Sequence, residues 1–167
     1  MYDFKPEAGA DPQELYRQLR EAADALTADE PDSVANMANI ASLLWEFLPD
    51  LNWAGFYRLA DSKSGKAREL VLGPFVGRPA CIRIPIGVGV CGTAAASGET
   101  QRVADVHAFA GHIACDAASQ SELVVPIKRG GEVIAVIDLD SPRRSRFAEA
   151  DAEGIEALAR LLADRIG

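Results

Sequence analysis

Leu15, Leu19, Ala22, Ala23 and Leu26 recur at the spacing of one helical face, and the stretch opens on Asp11-Pro12-Gln13-Glu14, an N-cap acid with proline and glutamate in the first turn. This predicts a helix from Pro12 to Leu26. A second amphipathic pattern, Val34, Met37, Ala38, Ala41, Leu44, Trp45 and Leu48, follows Glu30-Pro31-Asp32-Ser33 and is closed by Pro49. A third stripe, Ile155, Leu158, Ala159, Leu162 and Ile166, runs from about Glu149. Between these helices, Asn52 to Leu59, Arg68 to Val76, Ile82 to Ile84, Glu122 to Lys128 and Glu132 to Asp140 are rich in β-branched and aromatic residues and read as strands. Arg129-Gly130-Gly131 joins the last two and suits a hairpin turn. Helices at both ends with strands gathered in the middle predict one α+β domain over residues 1–167. Its centre is an antiparallel sheet with the N- and C-terminal helices packed on it, without βαβ winding.

The stretch from Pro85 to Ser121 breaks this regularity. It holds two of the three cysteines and both histidines, with a short helix expected from Gly92 to Ala96 and a weaker one near Asp116 to Ser119. A loop-rich insertion on a rigid sheet is where binding and catalytic groups concentrate.

Composition narrows the classes. With 49% of 167 residues hydrophobic and 25% charged, the chain can bury a substantial core. The net charge of −8, with no basic run beyond Arg143-Arg144-Ser145-Arg146, excludes the basic surface that a phosphate backbone requires, so no nucleic acid partner is expected. The N-terminus lacks a basic segment followed by an apolar one, and no window approaches the ~18 apolar residues of a membrane span. The expected setting is cytoplasmic, away from membranes. There thiols start out reduced, and a disulfide serves catalysis or redox sensing rather than architecture.

Cys81, Cys91 and Cys115 fall within 35 consecutive residues, each among glycines, prolines or polar residues rather than inside an apolar run. A cysteine kept for packing sits inside such a run as a small hydrophobe. Cys91, in Gly87-Val-Gly89-Val-Cys91-Gly92-Thr93, stands at a helix start, where the positive end of the peptide dipoles favours the thiolate. Cys115 has His112 three residues before it and Asp116 beside it, so an imidazole and a carboxyl are locally available to activate a nucleophile and deliver a proton. His107, His112 and Cys115 do not match the common zinc spacings, and neither a metal centre nor a cofactor is expected from them.

Period-two alternation in Val133-Ile-Ala-Val-Ile-Asp138-Leu-Asp140 places Val133, Ala135, Ile137 and Leu139 on one face and Ile134, Val136, Asp138 and Asp140 on the other. The hairpin brings Glu122 toward the two aspartates. Clustered carboxylates repel one another, and neither strand carries a lysine or arginine there, so a ligand ammonium or a metal ion would supply the missing positive charge. Trp53 and Tyr57 share a face of the first strand, and Gly55 between them leaves space for a group to lie against the rings.

Taken together, Asn52-Trp-Ala-Gly-Phe-Tyr, Leu72-Gly-Pro-Phe-Val-Gly, Ala80-Cys-Ile-Arg-Ile-Pro, Gly89-Val-Cys-Gly-Thr-Ala, Asp105-Val-His, Gly111-His-Ile-Ala-Cys-Asp-Ala-Ala-Ser and Glu122-Leu-Val-Val-Pro resemble the free methionine-(R)-sulfoxide reductases, small enzymes of the GAF fold. The resemblance implies a substrate, free methionine (R)-sulfoxide, and a catalytic set. Cys115 matches the nucleophilic cysteine, Cys81 the one that resolves it as a disulfide, and Cys91 a third thiol of less settled duty. Glu122, Asp138 and Asp140 match acidic substrate-binding residues, with Glu122 also placed to protonate the sulfoxide oxygen, and Trp53 and Tyr57 match aromatics of the pocket. A sulfenic acid and an intramolecular disulfide would form in turn, with thioredoxin as the recycling reductant. A small-ligand-sensing GAF module and a thiol redox sensor or peroxidase are the rival readings. Self-association as a homodimer is left open.

Overall fold

The structure, a computed structural model, describes residues 3–109 and 117–167. Its elements in chain order are α1 (Pro12–Thr27), α2 (Ser33–Phe47), β1 (Trp53–Asp61), β2 (Arg68–Gly77), β3 (Arg83–Pro85), α3 (Gly89–Ser97), β4 (Gln101–Val103), a 3-10 turn (Val106–Ala108), β5 (Ser121–Arg129), β6 (Glu132–Ser141) and α4 (Glu149–Leu162). The six strands form one sheet in the order β3-β2-β1-β6-β5-β4, and every neighbouring pair is antiparallel.

Local chemistry sets the helix starts. Asp11 and Asp32 accept hydrogen bonds from the backbone N–H groups of Glu14 (2.9 Å) and Ala35 (2.8 Å), satisfying donors that a helix N-terminus leaves without partners. The hairpin between β5 and β6 turns on Gly130 and Gly131, both at positive φ, as a two-residue type I′ turn requires.

The sheet separates two cores. On one face α2 and α4 pack directly against the strands, and α1 makes its main contacts with those two helices. Leu19, Met37, Ile40, Leu44, Phe56, Leu123, Ile137, Leu139, Ile155 and Leu162 are all buried there. The alanines of α1, Ala22 and Ala23, let it approach closely enough to seat as a second layer. On the opposite face α3, with Val90 and Cys91 turned inward, covers Trp53, Tyr57, Leu70, Ile84, Val124 and Val136.

Three expectations change. The helix expected at Gly92 begins earlier, at Gly89, which draws Cys91 into its first turn. Of the weaker helix near Asp116 to Ser119, Ala117 and Ala118 form a turn and Ser119 is irregular, while Asp116 lies outside the described residues. The short strand β4 carries no alternation long enough to be read from sequence, and it exists because Val103 pairs with Glu122 at the sheet edge. In addition, β6 does not alternate cleanly. Lys128 pairs with Val133 but Ile127 with Ala135, so Ile134 is an extra residue. This bulge sends Val133 to the α3 face and Ile134 to the helical core, the reverse of the strict period-two assignment.

Candidate active site

Cross-strand register assembles the cleft. Asp140 sits between Trp53 of β1 and Glu122 of β5, and Asp138 between Gly55 and Val124. The three carboxyls expected to share a face therefore do so, beside the β1 aromatics. Trp53 stacks on Tyr57 with ring centroids 5.8 Å apart and on Phe75 of β2 at 5.2 Å. The N-terminus of α3 closes the other side. Trp53, Tyr57, Ala80, Ile84, Val90, Cys91, Ser119, Glu122, Asp138 and Asp140 line a cleft of about 550 Å³, counting its open mouth, with Arg78 and Val88 at the rim.

Gly55 plays a different part from the one expected. A Cβ there would lie 2.7 Å from Phe75 Cα and 2.8 Å from Pro74 O. The space over Gly55 is thus filled by β2, whose Gly73-Pro74 bulge shifts the register between Gly55 and Tyr57. Glycine at this position lets Phe75 reach Trp53, so the two rings that line the cleft are backed by a third stacked on Trp53.

Burial governs the electrostatics. Glu122 and Asp138 are each only 6% exposed, and Asp140 is half-buried. Burial first, then the Asp138 and Asp140 charges, pushes the Glu122 carboxyl well above the usual carboxylate range. Burial lifts Asp138 to about 7, opposed by hydrogen bonds from Cys91 and Glu122. Its Oδ1 is buried with no hydrogen-bond partner. Burial likewise raises the Tyr57 phenol, with the neighbouring Asp138 charge second, so the hydroxyl stays neutral.

Cys91 reverses its local expectation. Its Sγ donates to Glu122 Oε1 at 3.9 Å, and full burial together with the charges of Asp138 and Glu122 raises the thiol well above its ordinary value. The favourable helix end acts on a sulfur that has lost its water and faces carboxylates, and the latter two effects prevail. Cys91 is a free thiol, whereas Cys81, half-buried at the edge of the same core, is disulfide-bonded. Cys115 and His112 lie outside the described residues.

Ser119 lines the cleft and Phe75 backs it through Trp53, although neither stood out in the sequence. The Ser119 hydroxyl accepts from Asn52 Nδ2 at 3.0 Å, tying the segment before β5 to the start of β1. Trp53 Nε1 donates to the Arg78 carbonyl at 3.2 Å, which holds the indole and the rim together. For Phe75 the Gly-Pro pair within a strand pattern was the available signal, since it marks a bulge.

Comparison with known proteins places this geometry in a lineage. The GAF domain model matches residues 13–166. The free methionine-R-sulfoxide reductase of Escherichia coli is 50% identical over 145 residues, covering 87% of this chain and 84% of that protein. The chain belongs to the GAF-fold free methionine-(R)-sulfoxide reductases. The Saccharomyces cerevisiae member is 41% identical over 155 residues, covering 90% of this chain and 84% of its own. The crystal structure of the Neisseria meningitidis reductase in complex with its substrate superposes with a TM-score of 0.90 at 44% identity, over 99% of this chain and 96% of that one. The fold, an antiparallel sheet with α3 and the cleft on one face, is therefore the reductase fold of this family.

Proposed function

We propose that this chain reduces free L-methionine (R)-sulfoxide to methionine. The observation that carries the reading is a row of stacked aromatics ending on a buried group of carboxyls, one of which, Asp138, presents an oxygen without a partner. The substrate's ammonium supplies the positive charge that the acids lack, and its apolar end lies against Trp53 and Tyr57. A peptide-bound residue has no charged amine to offer, which accounts for a preference for the free amino acid.

The Cys115 thiolate attacks the sulfoxide sulfur while Glu122, held protonated by burial and by its acidic neighbours, donates to the departing oxygen. Methionine leaves and the oxygen remains on Cys115 as a sulfenic acid. The Cys81 thiol then displaces that oxygen as water, forming a disulfide. An external dithiol such as thioredoxin takes over the disulfide and returns both thiols. The disulfide at Cys81 beside the free thiol of Cys91 supports Cys81 as the resolving group. A cytoplasmic setting fits a site that must be reduced after each cycle.

The test is turnover on separated R and S epimers, free and peptide-bound, with each cysteine replaced in turn. The free R epimer alone is expected to be reduced, Cys115→Ser to fall to background, and Cys81→Ser to complete a single turnover and stop. Full turnover by Cys115→Ser would overturn the assignment.

A further inference from the structure

The Cys91 thiol takes no part in the steps above, yet it forms the floor of the cleft together with two carboxyls. One donor atom each from Cys91, Glu122 and Asp138 fall within 4.8 Å of one another, and all three side chains are buried. With zinc–sulfur bonds of about 2.3 Å and zinc–oxygen bonds of about 2.0–2.2 Å, a tetrahedral ion holds neighbouring sulfur and oxygen ligands roughly 3.5 Å apart. The separation of Cys91 Sγ from Glu122 Oε1, 3.9 Å, is close to that spacing.

A second observation points the same way. Asp138 Oδ1 is buried, has no hydrogen-bond partner and belongs to a side chain lining the cleft. A buried acceptor without a partner is costly, and a cation in the cleft relieves it.

We infer that Cys91, Glu122 and Asp138 form a binding site for Zn²⁺, which competes with the substrate ammonium for the same carboxylates. The donor set selects the ion. One sulfur among three ligands suits a borderline-soft cation, whereas Mg²⁺ and Ca²⁺ require six or more oxygens. Three protein ligands leave the fourth tetrahedral position open to the cleft, where a water completes the shell. As the ion enters, the Cys91 thiol and any protonated carboxyl release their protons to solvent, and no group changes oxidation state. The ammonium and the metal ion cannot both occupy the carboxylates. Only this competition rests on the proposed activity; binding of the ion does not.

Cobalt(II), as a spectroscopic stand-in for Zn²⁺, tests the site in the disulfide-oxidised protein, where Cys91 remains a free thiol. Titration is expected to produce a thiolate-to-cobalt charge-transfer band at one ion per chain, which Zn²⁺ then bleaches. Cys91→Ala should abolish the band, and Asp138→Asn should weaken binding by roughly tenfold or more. Glu122→Gln should do the same, and melting curves of the apo variants verify that each is folded. Free methionine sulfoxide is expected to raise the apparent Kd for cobalt. No band in the parent protein, or a band surviving in Cys91→Ala, would overturn the site, and an unchanged Kd would overturn the competition. A band and competition with no reductase turnover would leave the site standing while sinking the proposed activity.

Discussion

Cys91 is the residue at which local and tertiary chemistry disagree most. Its place in the first turn of α3 favours a thiolate, but complete burial and two facing carboxyls hold the proton on sulfur. Iodoacetamide at neutral pH is therefore expected to leave Cys91 unmodified in the folded oxidised protein and to add one adduct only after denaturation, as read by mass spectrometry; rapid labelling of the native protein would contradict its assignment as a protonated thiol. Asp138 carries a consequence for stability. Its folded carboxyl titrates near 7 against an ordinary 3.8, so the folded state keeps a proton that the unfolded chain has already released. The associated stability is fully present below about pH 4 and is lost as pH rises toward 7. Asp138→Asn has no charge to bury. Its unfolding free energy should gain on that of the parent protein across this window and then level off, with a difference on the order of 2–4 kcal/mol at the plateau. A difference that is flat with pH would refute the raised carboxyl.

At the level of elements, the cleft depends on two irregularities in otherwise regular strands. The bulge of β2 brings Phe75 over Gly55 and into stacking contact with Trp53. Gly55→Ala would force a Cβ into the backbone of β2, so a loss of about 1–3 kcal/mol is expected from denaturant unfolding, with a raised KM as the Trp53–Phe75 pair is displaced. Retained stability and KM would mean that β2 yields freely at this point. The bulge of β6 inverts Val133 and Ile134 but leaves the alternation from Ala135 to Asp140 intact. This is why the acidic face was legible from the pattern although the start of the same strand was not. The two-residue turn fixes the register at Lys128 and Val133, and the bulge at Ile134 then shifts it by one residue, which sets Glu122 across from Asp140 rather than Leu139.

Across the whole molecule, the sheet keeps stability and chemistry on opposite faces. Tyr16 of α1 donates to Asp151 Oδ1 of α4 at 2.6 Å, and Arg146 pairs with the same carboxylate at 3.3 Å, locking the helical layer far from the cleft. Tyr16→Phe is expected to cost about 1 kcal/mol of unfolding free energy while leaving kcat/KM unchanged, because Asp151 keeps Arg146 and the Ala148 N–H as partners. An equal loss in turnover would show that the two faces are coupled. Periodicity and residue composition determined the three long helices, five of the six strands and the α+β class, since those patterns arise from one-sided burial of local segments. Alternation also determined that Asp138 and Asp140 share a face, and the hairpin that Glu122 lies near them, but the bulge at Ile134 decides that Glu122 joins that face. Only the tertiary structure decided that β4 forms, that Gly55 admits Phe75 instead of a ligand, and that Cys91 is a protonated thiol among acids. Each of these depends on atoms brought from distant parts of the chain, where exclusion of water and the approach of another strand outweigh what neighbouring residues dictate.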